Sequence, residues 1–149
     1  MAATDTERQE AIYLKGYLLY SINENRDALA MFLTLGSDSP FYRNSILPIA
    51  RSYIKLGMAD EGLAFLAEAA TKASHYPKYI VLECQAKLLY IKGDPTNLKE
   101  ALQAAKEAIG NAERAGREQA VAHIQKKLIP SIQARLDKLE PPPPHPLLT

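Results

Sequence analysis

The chain has 149 residues, enough for one domain or a short stack of repeats. Lys and Arg number 18 against 17 Asp and Glu, a net charge of +1, so no long-range field draws in a nucleic-acid backbone. Cys84 is the single cysteine, which excludes a disulfide within the chain and a multi-cysteine metal site and fits a reducing compartment.

The chain opens with polar residues, Met1 to Glu10, without the basic start and apolar run of a signal peptide, so a cytoplasmic location is expected. No stretch approaches the roughly 18 uncharged apolar residues of a membrane span, and no membrane insertion is expected. Thr4 to Glu7 and Thr6 to Gln9 both read as capping boxes, which starts a first helix at Asp5–Glu7. Gly16 then precedes Tyr17, Leu18, Leu19 and Tyr20, and a turn follows at Asn23–Asn25. A second, small-residue-rich helix is expected from Asp27 to Leu35. The pattern recurs: Ala50 lies 34 residues after Gly16, with Tyr53 and Ile54 behind it, a turn at Gly57 and a helix from Asp60 to Ala73. It recurs again at Ala86, with Leu89 and Tyr90, a turn at Gly93–Asp94 and a helix from Leu98 to Ile109. Strand alternation between hairpin turns is absent from the pattern. Pro48 either follows a helix start at Ser45 to Leu47, where proline is tolerated, or bends its helix.

Beyond these units, Val121, Ile124, Leu128, Ile132, Leu136 and Leu139 recur at three- and four-residue steps, one face of an amphipathic helix ending at Glu140. Pro130 lies inside it, so a kink or a split into two helices is expected. This helix either caps the preceding units or binds a partner or folds back into their groove. The tail from Pro141, rich in proline, reads as a disordered end or a polyproline segment.

A helix–turn–helix unit with a period near 34 resembles the tetratricopeptide repeat (TPR) family. That family places bulky, small and bulky residues in order on its first helix. Its second helix carries small, aromatic and small residues before a closing proline. In a first repeat, 9–42, these are Ile12, Gly16, Leu19, Ala28, Phe32, Leu35 and Pro40. In a second, 43–78, they are Ile46, Ala50, Tyr53, Gly62, Leu66, Ala69 and, in place of proline, Ser74. In a third, 79–112, Leu82, Ala86 and Leu89 lead to Ala101, Ala105 and Ala108, with Pro95–Asn97 read as an insertion that shifts the register. Lys15 and Gln85 stand where the family prefers Leu, and Ala105 replaces the aromatic.

The resemblance implies an all-α fold of about three helical hairpins in a right-handed α-solenoid. A terminal helix at about 113–140 completes a single domain, 1–140, ahead of a tail at 141–149. It further implies that the first helix of each repeat lines a concave, protein-binding surface. In repeat one that surface carries Glu10, Tyr13, Tyr17, Tyr20 and Ser21. Repeat two supplies Asn44, Leu47, Arg51, Ile54 and Lys55, and repeat three Ile80, Glu83, Lys87, Tyr90 and Ile91. Tyr13, Tyr17, Tyr20, Leu47, Arg51, Ile54, Lys87 and Tyr90 are the candidate contacts, although Tyr17 and Tyr20 also fit a partly core position. Tyrosine gives large contact area at low entropic cost, so the groove suits a helical or extended polypeptide with apolar anchors and some acidic residues.

Catalytic groupings are missing from the pattern. His75, His123 and His145 are far apart, no Gly-rich phosphate loop exists, and Cys84 reads as a buried thiol. Lys87, Tyr90 and Lys92 make too small a cluster for a nucleic-acid face. The reading is therefore non-enzymatic and cofactor-free: a cytoplasmic chaperone or adaptor for a protein partner, with room for a homodimer or heterodimer. The opening Thr6-Glu7-Arg8-Gln9-Glu10 and Tyr13-Leu14-Lys15-Gly16-Tyr17, with the length and three-repeat plan, is similar to small chaperones of bacterial type III secretion. The alternative is a structural subunit of a larger complex, and the lysine–asparagine clamp for C-terminal carboxylates is not in the pattern.

Overall fold

The structure, a computed structural model, describes residues 2–140. Among them every regular element is helical, so the protein is all-α. The proline-rich tail lies outside the described residues. The chain divides into two compact units between Pro77 and Lys78, one residue before the expected start of the third repeat.

The first unit contains α1 (Asp5–Ser21), α2 (Asn25–Phe32), α3 (Tyr42–Leu56) and α4 (Ala59–Lys72). The Thr4 hydroxyl accepts from the Glu7 N–H at 3.1 Å, and that cap sets the start of α1 where the capping box puts it. The helix stops because Asn23 enters the left-handed region at φ 64°, folding the Glu24 N–H back onto the Leu19 carbonyl at 2.9 Å. Gly57 ends α3 in the same way at φ 70°, with Met58 N–H on the Tyr53 carbonyl at 2.9 Å. Each such turn reverses the chain, so α1 packs on α2 and α3 on α4.

Close packing explains the small residues. Gly16 is buried on α1 against the Phe32 ring of α2; a methyl group there would sit 2.8 Å from two ring carbons. Ala28 and Ala50 have no exposed surface. Phe32, Ile46, Ile49 and Leu66 are the large side chains that fill the space around them. A second cluster gathers Tyr42, Ile46 and Ala69, with Phe65, Ala73 and Tyr76 against it.

The second unit contains α5 (Lys78–Lys92), α6 (Pro95–Arg114), α7 (Glu118–His123), a π-helical turn (Ile124–Leu128) and α8 (Ile129–Leu139). Its core is a row of alanines on α6, Ala101, Ala105 and Ala108, beside Ala86 of α5. Ile124, Leu128, Ile132 and Leu136 pack into the same cluster from the terminal segment. The apolar stripe of that segment is thus its buried face, although its last member, Leu139, is half exposed.

Three expectations differ from the observed elements, and the expected split near Pro130 is present between α7 and α8. α2 runs Asn25–Phe32 rather than Asp27 to Leu35: the turn at Asn23 frees the chain to begin helix at once, and beyond Phe32 the ladder tightens, with the Thr34 N–H on the Met31 carbonyl at 3.1 Å and the Leu35 N–H on the Phe32 carbonyl at 3.0 Å. Leu35 is buried all the same, from the loop. α6 begins at Pro95 rather than Leu98, so the inserted Pro95–Asn97 form its first turn; Asp94 caps it by accepting from the Asn97 N–H at 2.9 Å, and Ala101, Ala105 and Ala108 of the shifted register are buried. α3 begins at Tyr42, before the expected Ser45 to Leu47, which leaves Pro48 inside the helix. Pro130 is absorbed by a π turn just before it, where the Ile129 N–H bonds the Ile124 carbonyl, five residues back. The wider turn accommodates a ring that would strike the preceding turn of a regular helix.

Two stability measurements follow from these contacts. Gly16→Ala is expected to lower the unfolding free energy by about 1–2 kcal/mol, because overpacking against a buried ring outweighs the helix-propensity gain. Urea denaturation followed by circular dichroism checks it, and Phe32→Leu in the same chain should recover part of the loss. Arg135→Ala is expected to cost about 1–2 kcal/mol, since Arg135 donates to the Tyr90 carbonyl at 2.9 Å and lies 5.0 Å from the centre of the Tyr90 ring.

Candidate functional site

Helices α1 and α3 meet in the first unit and leave a cavity of about 370 Å³ beside their contact. From α1 its wall takes Tyr13, Tyr17 and Tyr20; from α3 it takes Arg43, Asn44, Leu47, Pro48 and Arg51; Tyr76, after α4, also lines it. The volume falls in the range of ligand pockets, about 300–1,000 Å³. Five of the eight candidate contacts therefore share one wall: Tyr13, Tyr17, Tyr20, Leu47 and Arg51.

Helical spacing explains the convergence. Tyr13, Tyr17 and Tyr20 stand at four- and three-residue steps, and Arg43, Leu47 and Arg51 at four-residue steps, so each set occupies one helix face. The tyrosines are not equivalent. Tyr13 is stacked on Phe41 at 5.5 Å between centroids and tilted against Phe32 at 6.1 Å, which fixes it as the floor. Tyr20 lies under the Lys55 ammonium, 5.0 Å from the ring centre, and Lys55 is itself held by donating to Asn23 Oδ1 at 3.0 Å. Tyr17 is tilted between them, 6.1 Å from Tyr13 and 6.0 Å from Tyr20, and keeps 47% of its surface exposed. The sequence allowed Tyr17 a partly core place; the structure makes it the open member of the three.

Burial holds the Tyr13 phenol above its ordinary range, and the nearby Tyr17 adds to the shift. Tyr42 is raised by burial and then by Glu68, and Tyr53 by burial and then by Glu61. At the opposite end of the cavity Arg43 lies over the Tyr76 ring at 5.5 Å and donates from Nη2 to the His75 carbonyl at 3.3 Å. Pro48 has no N–H, so the helix gives the Asn44 carbonyl no i+4 donor at this wall.

The remaining candidates lie elsewhere. Ile54 is half-buried further along α3 and does not line this cavity. Lys87 and Tyr90 belong to the second unit. Lys87 pairs with Glu83 at 3.3 Å, and His123 Nε2 lies 3.6 Å from the same carboxylate oxygen. Tyr90 is packed on the second core and carries Arg135 over its ring. The terminal segment thus reaches the face of α5 that the sequence offered to a partner.

Arg43, Asn44, Pro48 and Tyr76 are cavity residues outside the eight candidate contacts. Arg43 shares the helical phase of Leu47 and Arg51, a signal present in the sequence. Tyr76 follows α4, and only the packing of the second cluster brings it beside Arg43.

Among the described residues no group of three or more His, Cys, Asp or Glu is placed to hold a metal ion, and no helix is long and apolar enough to cross a membrane. Cys84 is a buried free thiol. No protein-family model, curated protein or solved structure matches this chain.

The three shifted phenols give a pH dependence of definite sign. Each is more easily ionised in the unfolded chain than in the folded one, so each contributes stability below the ordinary phenol value, about 10, that is lost as pH rises through its raised folded value. Denaturation midpoints are expected to fall above about pH 10, and phenolate absorbance is expected to lag that of the unfolded chain. Tyr42→Phe with Tyr53→Phe should flatten that fall.

Proposed function

We propose that the chain is a TPR-type helical-repeat protein without catalytic activity, which holds a segment of a partner polypeptide in the tyrosine-lined cavity of its first unit. The observation that carries this reading is the gathering of Tyr13, Tyr17, Tyr20, Leu47 and Arg51 on one cavity wall. Their places in the repeat pattern are enough to single these residues out. Buried Gly16, Ala28, Ala50, Gly62, Ala86 and Ala101, at the pattern's small positions, support the repeat assignment. So do the left-handed turns at Asn23, Gly57 and Gly93 that separate its paired helices.

The sharper form of the proposal is a cytoplasmic chaperone, of the kind that serves type III secretion. Such a protein covers an apolar segment of a subunit that would otherwise aggregate or assemble too early. The cavity suits that role, with a fixed aromatic floor, one open ring, and aliphatic Leu47 and Pro48 facing it. Binding rests here on the first unit's residues, because the Tyr90 ring is already engaged by Arg135.

A second reading, a structural subunit of a larger complex, is favoured by a different face. Leu14, Leu18 and Ile22 are 56%, 62% and 60% exposed at four-residue steps along α1 and its C-cap. A subunit deprived of its assembly is expected to self-associate through that face, whereas a chaperone stays dispersed until its client arrives. Light scattering of the purified chain, with and without Leu18→Glu, separates the two.

The central test is recovery of a partner from the native cell, followed by reconstitution with that purified partner. Tyr17→Ala and Leu47→Ala are each expected to weaken the complex by about 2 kcal/mol, roughly thirtyfold in Kd, with the circular dichroism spectrum unchanged. Undiminished affinity in both variants would refute the cavity as the binding site.

A further inference from the structure

We infer that the segment taken by this cavity carries acidic side chains beside its apolar anchor, and that Arg43 recognises them. The inference rests on the binding reading above and specifies the partner's chemistry. Nine of the described residues line the cavity, and they include two arginines and no carboxylate. The groups that hold Arg43 are neutral: the His75 carbonyl and the Tyr76 ring. Its positive charge is therefore fixed in place by groups that do not neutralise it. A guanidinium has five N–H donors, and the His75 carbonyl accepts from one nitrogen, Nη2.

Fixing matters as much as charge. A flexible arginine must be ordered when it binds; one already laid over a ring and tied to a carbonyl loses less freedom per new bond. Beside it the tyrosines, Leu47 and Pro48 exclude water on a partner's approach, and a charge pair strengthens as the local dielectric falls. Arg51 lines the same wall two turns further along α3, roughly 12 Å away at 1.5 Å per residue. The apolar anchor is then seated beside the acidic side chain that Arg43 takes, against Tyr17 and Leu47.

The experiment uses the full chain and a random peptide library displayed on phage. Enriched sequences are expected to place Asp or Glu beside Leu, Ile, Met or Phe, and to be lost when panned against Tyr17→Ala. They are then synthesised with blocked ends, with free carboxyl ends, and with each Glu or Asp replaced by its amide. Fluorescence anisotropy should show about a tenfold loss on Glu→Gln in the peptide and a similar loss for Arg43→Gln in the protein. The two losses should not add, because they remove the same contact. Arg43→Lys keeps the charge without the fork and should fall between, and it serves as the test should Arg43→Gln fail to fold. Peptides that need Tyr17 but are indifferent to Glu→Gln overturn the acidic recognition and leave the cavity reading standing. Binding only by peptides with a free carboxyl end overturns the side-chain assignment. Peptides indifferent to Tyr17→Ala and Leu47→Ala overturn both readings together.

Discussion

Gly16 lies where α1 touches α2, and the Phe32 ring occupies the space a side chain would need. That contact sets how closely the two helices approach. Because the Phe32 ring is also one of the surfaces against which Tyr13 is tilted, the same contact fixes the floor of the cavity. Packing and site are therefore one arrangement: a side chain at position 16 would push Phe32, and Phe32 would push Tyr13. Interiors packed at this density pass on small displacements rather than absorb them. In the second unit the row of α6 alanines plays the corresponding part, and the bulk comes from Ile124, Leu128, Ile132 and Leu136 of the terminal segment.

The order among the tyrosines follows from what lies beside each one. Phe41 stacks on Tyr13 and Lys55 covers Tyr20, while Tyr17 has tilted ring neighbours and remains open. A binding surface needs both kinds of residue. Held rings give a shape that exists before the partner arrives, and an open ring supplies area that is still to be removed from water. The exposed surface of Tyr17 is the part of the aromatic cluster with hydrophobic free energy left to contribute, at about 25 cal/mol per Å² buried.

Much of this was legible in the sequence because it depends on spacing. The 3.6-residue period put Tyr13, Tyr17 and Tyr20 on one face and Leu47 with Arg51 on another, and the small residues marked where helices touch. The turns were legible for a similar reason, since Gly57 and Gly93 are residues that adopt the left-handed conformation without strain. What the sequence did not convey depends on competition between local bonds. α2 closes in a tightened turn at Thr34 and Leu35, and the Asp94 cap starts α6 at Pro95. The π turn before Pro130 was hidden too, because periodicity shows that a helix contains a proline and not how its ladder adjusts. Tyr76 lies outside any periodic element, and only tertiary packing brings it to Arg43.

The two units also treat the same kind of surface differently, and the difference has a physical cause. On α5 the residues that the sequence pattern offered to a partner include Glu83, Lys87 and Tyr90. Each is already engaged: Glu83 with Lys87 and His123, Tyr90 with Arg135. His123 and Arg135 come from the terminal segment, whose apolar face is buried against α6 and so keeps these polar flanks against α5. In the first unit the α1 tyrosines, with Arg43, Leu47 and Arg51 of α3, instead border an open cavity. The terminal segment is thus a guide to what the first unit would accept. It meets a tyrosine-bearing helix face with a basic side chain over the ring and buries an aliphatic stripe alongside. The first unit offers a different polarity, with Arg43 and Arg51 and no carboxylate among the described residues that line its cavity, and it is this difference in charge on which the proposal of an acidic, apolar polypeptide rests.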